Sequence, residues 1–429
     1  MPQQTIRNQL ANKLTAKQER SLLRSLLVRT HTGSSAVSAE LNSNENGAPT
    51  EIAYRNFSSN DYLGLSQHAE VITAFQSGIQ RWGVGAGASP LVTGYTEAHA
   101  ALAEALAAWF GVERVILFSS GFSANAGVLH TLRAAGAVPV IDKLCHASIY
   151  DGVRGYLGAA ERAGSAKQGR SEFLRFRHND YTDLQQQLDH LALAPADVRE
   201  HALIVSEGLF SMDGDGADVA ALVAAKQRAN SLLMLDDAHG IGVMGQHYRG
   251  VFDAPGSNAI DVVTGTFGKA FGMGGAFIAT DHLIADSLVN DCRHLIYSTA
   301  FPPAQAEALL VALRVMQRGE LQTKLQHRIQ QFRQLATEQG LRISAAAANA
   351  PIQPIAIGVN ELALRFSKAL AKHGFQAIAI RPPTVPNGTA RIRFTLSALH
   401  SEQVITELFA AIANILAMDK ELADACTIR

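Results

Sequence analysis

Five short apolar runs, separated by helix-like segments, constrain the fold of this chain more than any other feature. The runs are VILF at 115–118, VPVI at 138–141, ALIV at 202–205, LLML at 232–235 and VVTG at 262–265. Such alternation of strand and helix patterns predicts an α/β fold with a mostly parallel, doubly wound sheet. Ligands of such sheets bind beyond the carboxyl ends of the strands, so the residues that follow each run are the first candidates for function.

A second set of strand-like segments lies near the C-terminus. A long amphipathic helix is predicted to begin after about Pro302, and it leads to QPIAI, AIAIR and ARIRFTL. We interpret this part as a smaller α/β domain that closes over the first.

The first fifty residues differ from the rest of the chain. Leucines at 10, 14, 22, 23, 26 and 27 recur at helical spacing among lysines and arginines, which predicts an amphipathic helix from about Asn8 to Val28. The polar, turn-rich stretch at 31–49 predicts a loop or linker. We therefore expect an arm and linker at 1–50, a large domain at 51–305 and a small C-terminal domain at 306–429.

Charge and cysteine usage favour small-molecule chemistry in the cytoplasm. The 37 basic and 38 acidic residues give a net charge of -1, which provides no electrostatic surface for nucleic acid or an anionic membrane. Cys145, Cys292 and Cys426 are odd in number and far apart, which argues against a disulfide framework or a thiolate metal site. The sequence contains neither an apolar signal core nor a run of about 20 apolar residues. We expect a cytoplasmic protein that neither enters a membrane nor binds a metal.

Two residues at strand ends match the requirements of pyridoxal phosphate. Asp236 follows the run LLML, and Lys269 follows the run VVTG in the segment TFGK. The cofactor needs a carboxylate that keeps its pyridine nitrogen protonated and a lysine that forms a Schiff base. Asp236 alone would be more typical of a helix N-cap, and Lys269 alone of a solvated surface lysine. Their joint placement, with Gly268 and Gly272 around the lysine, favours a cofactor site.

Two weaker signals point to the same site. The segment SSGFSAN at 119–125 follows a strand and opens a helix, whose free N–H groups at Gly121 and Phe122 are candidates for binding a phosphate. His146 in DKLCHAS follows another strand end, where its ring could stack on a cofactor. Each pattern alone is common without a ligand, so neither decides the function by itself.

The glycine-rich run GVGAG at 83–87 suggests a dinucleotide-binding module as an alternative. It follows the helical pattern VITAFQSGIQRW instead of a strand, and it does not match GxGxxG at the start of a helix. We therefore expect a loop whose backbone closely approaches a neighbouring segment.

Eight segments in order along the chain resemble the α-oxoamine synthases, a group of pyridoxal-phosphate enzymes. They span about residues 56 to 400 and are SNDYLGL, SGFSAN, DKLCHAS, EGLFSMDGD, LDDAHGIGVMG, GTFGKAFGMGG, HLIYSTAFPPA and RPPTVPNGTARIRFTLSALH. The last segment is most similar to the members that condense L-alanine with a pimeloyl thioester. Members that use glycine share the cofactor motifs and usually differ there.

The resemblance implies the pyridoxal-phosphate fold type I of aspartate aminotransferase, in a homodimer with both active sites at the interface. The residues that it implies for the cofactor are Lys269 as the Schiff-base lysine, Asp236 at the pyridine nitrogen, His146 stacked on the ring, Gly121 and Phe122 framing it, His239 and Ser211 near the ring hydroxyl, Thr266 at the phosphate, and Ser298 and Thr299 toward the partner's phosphate. The residues that it implies for the substrates are Arg24, Asn60, His146, Thr384 and Arg393. Lys269, His146, Asp236 and His239 form the implied catalytic group.

The activity implied by the resemblance is a decarboxylative condensation of L-alanine with a pimeloyl thioester, in the biosynthesis of biotin. Either coenzyme A or an acyl carrier protein could carry the pimeloyl group. A related enzyme that uses glycine and acetyl-CoA, an aminotransferase, and a pyridoxal-phosphate protein without condensation activity remain the alternatives.

Overall fold

The computed structural model describes residues 2–19, 22–23, 26, 28–30, 37–43, 49–155, 173–193 and 201–428. The helices in these ranges are α1 (Pro2–Glu19), α2 (Ala69–Trp82), α3 (Glu97–Phe110), α4 (Gly121–Ala134), α5 (Ala147–Gly155), α6 (Tyr181–Ala192), α7 (Val219–Ala229), α8 (His282–Asp291), α9 (Arg293–Ile296), α10 (Pro303–Gln317), α11 (Glu320–Glu338), α12 (Asn360–Lys372), α13 (Glu402–Met418) and α14 (Lys420–Cys426). The strands are β1 (Arg29–Thr30), β2 (Val37–Ser43), β3 (Pro49–Asn56), β4 (Arg114–Phe118), β5 (Val138–Asp142), β6 (Leu174–Phe176), β7 (Ala202–Glu207), β8 (Leu232–Asp236), β9 (Val262–Thr266), β10 (Ala276–Thr280), β11 (Ile352–Gly358), β12 (Phe375–Gln376), β13 (Ile378–Ile380) and β14 (Ala390–Thr395).

A seven-stranded sheet in the order β4-β10-β9-β8-β7-β5-β6 forms the centre of the molecule. All five predicted runs are strands of this sheet, and the β5–β7, β7–β8 and β8–β9 pairs are parallel, which confirms the predicted architecture. The strand β10 was not predicted, and it is antiparallel to both of its neighbours. It begins ten residues after β9 ends (276 minus 266), and that connection is too short for the crossover that parallel strands require.

Helices cover both faces of this sheet, so the central positions of its strands are mostly apolar. In β7, Ile204 packs into one apolar core while Leu203 and Val205 pack into the core on the opposite face, and all three are fully buried. Burial on both faces explains why these strands appear in the sequence as continuous apolar runs.

The small C-terminal sheet has the order β11-β14-β13, and its strand pairs are antiparallel. The single long helix predicted after Pro302 is wrong, because two helices, α10 and α11, occupy this stretch. The break contains Gly319 at φ 78°, a left-handed conformation that glycine adopts without steric cost. The division at 305/306 falls inside α10, and the three-part domain organisation stays a prediction.

The N-terminal region differs from the expected helix and linker. The helix α1 ends at Glu19, and Leu22, Leu23, Leu26 and Val28 are not helical. The leucines Leu10 and Leu14 of α1 are exposed, so little tertiary packing extends the helix. Leu14, Leu22 and Leu23 line a cavity together with the loop that contains Pro382.

The predicted loop at 31–49 is also wrong in part. Residues Val37–Ser43 form β2, which pairs antiparallel with β3. The polar composition of β2 concealed this strand, because the ladder depends on backbone groups that every residue type except proline provides. The strand β3 also pairs in parallel with β12, which connects the N-terminal segment to the C-terminal part of the chain.

The glycine-rich run at 83–87 follows the helix α2, as expected. The predicted close approach is wrong within this chain, because a Cβ placed on Gly83, Gly85 or Gly87 would have no atom within 4 Å. Gly83 and Gly87 instead adopt positive φ angles of 79° and 75°.

The three cysteines are unpaired and buried. Across the described ranges, no helix combines the length and the apolar character needed to cross a lipid bilayer.

Candidate active site

A cavity of about 340 Å³ lies at the carboxyl ends of β7, β8 and β9, beside the first turn of α4. It brings together most of the residues that the sequence predicted. The predicted residues on its wall are Asn60, Gly121, Phe122, His146, Ser211, Asp236, His239, Thr266, Lys269 and Arg393.

The other predicted residues lie elsewhere. Ser298 and Thr299 line a separate cavity of about 540 Å³ beside α3 and β4, so their contact with a partner's phosphate stays a prediction. Thr384 is exposed and lines a third cavity, which it shares with Leu22 and Leu23. Arg24 lies outside the described residues.

Asp236 is the last residue of β8, and its carboxylate is buried in the cavity. Its Oδ2 accepts a hydrogen bond from Asn125 Nδ2 at 2.7 Å, and its Oδ1 accepts one from the backbone N–H of Ala238 at 3.0 Å. Both donors are neutral, and within the described ranges no arginine or lysine forms an ion pair with this carboxylate. A cationic ligand atom would therefore complete the local charge balance.

Asn125 connects Asp236 to His146. The second hydrogen of its amide reaches Ser148 Oγ at 2.9 Å, and Ser148 Oγ lies 2.8 Å from His146 Nδ1. This chain fixes the orientation of the His146 imidazole on the cavity wall. Burial lowers the pKa of His146, so the ring is neutral near pH 7.

Lys269 follows β9 at a tight turn. Burial lowers its pKa to about 8, although the negative charge of Asp236 opposes this effect. The turn requires Gly272, which has φ 72° and whose added Cβ would lie 2.3 Å from the backbone nitrogen of Ser66. Because its pKa is lowered to about 8, Lys269 exists partly as a free amine near neutral pH, which a nucleophile or general base requires.

His239 is buried, and its Nδ1 lies 2.6 Å from the hydroxyl of Tyr62. Burial and the charge of Lys269 lower the pKa of His239 well below the usual value, so the imidazole is neutral. Burial raises the pKa of Tyr62 to about 12, so the phenol stays protonated; because Arg393 also donates to its oxygen, the phenol O–H is left to donate a hydrogen bond to Nδ1. The remaining ring proton is therefore on Nε2, where it can serve as a donor to a ligand.

Arg393 belongs to β14 of the small sheet, and its side chain is buried at the cavity. Its Nε donates to the carbonyl of Ser211 at 2.6 Å, and its Nη2 lies 3.3 Å from Asn60 Oδ1. Neither of these partners is charged. The guanidinium is therefore held in place with its charge still available for an anionic ligand.

Glu207 ends β7 next to Asp236 in the neighbouring strand. Burial and the adjacent Asp236 raise its pKa well above the usual value, and its Oε1 accepts a hydrogen bond from the backbone N–H of His146. This residue therefore supports the segment that contains His146 as a protonated acid.

Several residues of the cavity, and Tyr62, which contacts His239, were not predicted from the sequence. Asn125 lies within the quoted segment SGFSAN, one helical turn after Gly121, and Tyr62 lies within SNDYLGL. The spacing of Gly121 and Asn125 on one face of α4 is the signal that could have identified the amide. The remaining unassigned residues on the wall are Ser148, Glu207, Met212, Ala238 and Thr264.

Comparison with known proteins agrees with this geometry. The model of the family "aminotransferase class I and II" matches residues 53–412. The chain is 44% identical to the 8-amino-7-oxononanoate synthase of Saccharophagus degradans over 363 residues, which is 84% of this chain and 86% of that protein. It is 46% identical to the enzyme of the same name from Klebsiella pneumoniae over 356 residues, with coverages of 82% and 87%.

Solved structures share the fold. A serine palmitoyltransferase from Sphingomonas wittichii superimposes with a TM-score of 0.82 at 27% identity and covers 95% of this chain and 97% of its own. An SPT structure with PLP gives a TM-score of 0.82 at 26% identity, with the same coverages. The 8-amino-7-oxononanoate synthase of Francisella tularensis gives a TM-score of 0.67 at 26% identity and covers 85% and 98%.

The fold, the cavity and the family model define a class of enzyme: the chain belongs to the class I and II aminotransferase family, in its α-oxoamine synthase branch. The relatives identify the group within this branch, because they are 44–46% identical to this chain over more than four-fifths of its length. Within the branch, it belongs to the group of the 8-amino-7-oxononanoate synthases.

Proposed function

We propose that this chain catalyses the pyridoxal-phosphate-dependent condensation of L-alanine with a pimeloyl thioester. The products are 8-amino-7-oxononanoate, CO2 and the free thiol, in the biosynthesis of biotin. One observation carries the proposal: a single cavity contains Lys269, Asp236, His146, His239 and Arg393 in a chain that is 44–46% identical to enzymes of that name.

The donor set of the cavity fits pyridoxal phosphate. Lys269 would hold its aldehyde carbon, and the buried Asp236, which has only neutral partners, would hold the protonated pyridine nitrogen. The phosphate would lie at the first turn of α4, where Gly121 lies beside Thr266: an added Cβ would be 3.9 Å from Thr266 Oγ1. When bound, the cofactor supplies an electron sink for the charge that develops at the α-carbon of the amino acid.

Lys269 is the proton carrier in this proposal. Because its pKa is lowered to about 8, the amine can remove the α-proton of alanine near neutral pH and later return a proton to the product. Lys269 and Asp236 line the same cavity, so one small ligand can contact both the amine and the carboxylate.

The two histidines orient ligand groups as neutral rings. His146 is held by Ser148 and the backbone contact to Glu207, which fits a flat ring contact with the cofactor. His239 keeps its proton on Nε2 because Tyr62 donates to Nδ1, which fits a hydrogen bond to the ring oxygen. Ser211 lies in the same cavity and is the second candidate for that oxygen.

Arg393 would bind the carboxylate of alanine through two parallel hydrogen bonds. This bidentate geometry orients the α-carbon, and lysine reproduces it poorly because it offers a single point charge. Asn60, which lies 3.3 Å from Nη2, limits the movement of the guanidinium. The contacts of Thr384, Ser298, Thr299 and Arg24 belong to the proposal through family resemblance alone.

The proposal includes a homodimer and a reaction in the cytoplasm. The exposed apolar side chains of Leu91 and Tyr95 line the second cavity, and the sequence neighbours Val92 and Tyr297 are exposed as well, which supports a covered interface there. The pimeloyl carrier is either coenzyme A or an acyl carrier protein.

The decisive experiment incubates the purified, cofactor-loaded protein with alanine or glycine and with thioesters of graded length. Free thiol and CO2 are both measured. Alanine with pimeloyl-CoA is expected to be the best pair, and Lys269→Ala is expected to abolish turnover. A preference for glycine with acetyl-CoA would contradict the proposed substrates, and amino transfer to a keto acid without CO2 release would contradict the proposed reaction.

A further inference from the structure

His178 bridges two aspartates outside the cavity. Its Nδ1 lies 3.0 Å from Oδ1 of Asp142, the last residue of β5, and its Nε2 lies 2.7 Å from Oδ2 of Asp215. Asp142 is fully buried, and the edge of the His178 ring packs against Phe210 with centroids 4.4 Å apart. No part of the proposed reaction uses these three groups.

The geometry requires a charged ring. A neutral imidazole has one N–H, whereas both nitrogens of His178 face carboxylate oxygens at hydrogen-bond distance, so the imidazolium satisfies both contacts. Burial opposes this charge, but the hydrogen bonds to Asp142 and Asp215 outweigh it and raise the pKa of His178 to about 10. Arg177 pairs with residues of α6 and its N-cap, so it does not neutralise the two aspartates.

The Asp142 side of this bridge leads to His146. Oδ1 of Asp142 accepts the backbone N–H of Leu144 at 2.8 Å, and the carbonyl of Asp142 accepts that of Cys145 at 3.1 Å. These two hydrogen bonds stabilise the turn that places His146 at the cavity.

The Asp215 side leads to Ser211. The carbonyl of Asp215 accepts the backbone N–H of Phe210 at 2.8 Å, and the N–H of Gly214 returns to the carbonyl of Phe210 at 3.0 Å, which closes the loop that contains Ser211. The carbonyl of Ser211 in turn holds Arg393 Nε at 2.6 Å.

We propose that His178, as an imidazolium, is a positioning residue that fixes the loop of His146 relative to the loop of Ser211. It thereby sets the placement of His146 relative to Arg393, and so the alignment of the cofactor ring with the amino-acid carboxylate. This inference rests on the proposed function for the identity of the two ligands.

The test uses His178→Gln, which keeps a polar side chain but cannot bridge both acids with charge. We expect the alanine KM and the dissociation constant of pyridoxal phosphate each to rise about tenfold, because small misplacements of positioning groups cost up to about 10²-fold. Turnover per bound cofactor is expected to change less. Asp215→Asn, which removes one charge at nearly constant shape, is expected to shift both constants in the same direction and serves as the second variant if His178→Gln fails to fold.

His130→Gln is the matched control. This half-buried histidine lies nine residues after Gly121 on α4, about 13 Å along the helix axis, so its replacement should affect stability without changing either constant. If His178→Gln and Asp215→Asn lowered the melting temperature but kept the alanine KM and cofactor affinity of the wild type, the bridge would be purely structural and the inference would be overturned.

Cofactor affinity is measured by absorbance titration of the apoprotein, without turnover. The charge state of His178 is measured separately by ¹⁵N NMR of the ring nitrogens. A wild type that binds pyridoxal phosphate but does not condense alanine with pimeloyl-CoA would refute the proposed function and leave the comparison of cofactor affinities intact. A neutral His178 ring at pH 7 would refute the inference directly.

Discussion

Replacement of Tyr62 by phenylalanine removes one hydroxyl group from the region of His239 and tests how that histidine is held in one protonation state. The hydroxyl lies 2.6 Å from Nδ1, and both residues are buried. The phenol is protonated at neutral pH, since its pKa is raised to about 12, and it is the donor to Nδ1 because Arg393 already donates to its oxygen. Phenylalanine preserves the packing of the ring, so the change removes only the hydroxyl, together with its hydrogen bonds to His239 and Arg393.

The expected magnitude follows from the unpaired nitrogen that the variant leaves behind. A buried polar atom without a partner costs about 1–3 kcal/mol. Part of that cost is relieved if the ring proton moves from Nε2 to Nδ1, but Nε2 then no longer donates to the cofactor. With 1.36 kcal/mol per factor of ten, we expect kcat/KM for alanine, or cofactor affinity, to fall by about 5- to 150-fold.

The assay combines absorbance titration of the apoprotein with pyridoxal phosphate and initial rates at saturating pimeloyl-CoA. Tyr248→Phe is the control, because Tyr248 lines a groove near Gly319 away from the cavity. The ¹⁵N spectrum of His239 reports the tautomer directly. An unchanged tautomer together with wild-type kinetics in Tyr62→Phe would refute the reasoning, as would an equal loss in the control.

Three further experiments, with four variants, test the cavity and the residues that support it. Asp236→Asn should reduce turnover by orders of magnitude while Glu207→Gln, which still accepts the His146 N–H, retains most of it; equal losses would contradict the roles given to the two carboxyl groups. Arg393→Lys should raise the alanine KM about tenfold, since charge-assisted hydrogen bonds contribute about 1.5–3 kcal/mol, and should leave the thioester KM nearly unchanged. The melting temperature of the wild type should exceed that of His178→Gln most at pH values below about 6.5, and the difference should shrink as the pH rises toward 10, because the raised pKa stabilises the fold only while the ring is protonated. A constant difference across this range, measured by calorimetry, would exclude the charged bridge.

The central sheet could be predicted because strands that are buried on both faces appear in the sequence as short apolar runs. The first four residues of β7, Ala202 to Val205, are all apolar, and such runs located the strands to within two residues. The strand β2 could not be found in this way, since it is polar and depends on backbone pairing with β3. The strand β10 was missed for a different reason: no helical pattern separates it from β9, so the alternation gave no signal.

The main residues of the candidate site were predictable because they follow strand ends. Their supporting partners were not, because those contacts join distant parts of the chain. Asn125 and Asp236 are 111 positions apart, and Tyr62 and His239 are 177 apart. Residue type and local spacing do not reveal contacts between residues so far apart in sequence. The sequence therefore identified the chemical groups of the cavity but not the contacts that set their protonation states.

These contacts determine where the negative charge of the cavity lies. Asp236 and Glu207 end neighbouring strands, and two buried carboxylates in such proximity do not both ionise readily. Burial and the neighbouring Asp236 raise the pKa of Glu207 well above its usual value, which favours its protonated form, whereas Asn125 and the N–H of Ala238 both donate hydrogen bonds to the Asp236 carboxylate. The sheet therefore presents one anion at the position proposed for the pyridine nitrogen and a neutral acid beneath His146. An asparagine at position 236 would leave the pair without that anion, whereas a glutamine at position 207 would preserve it.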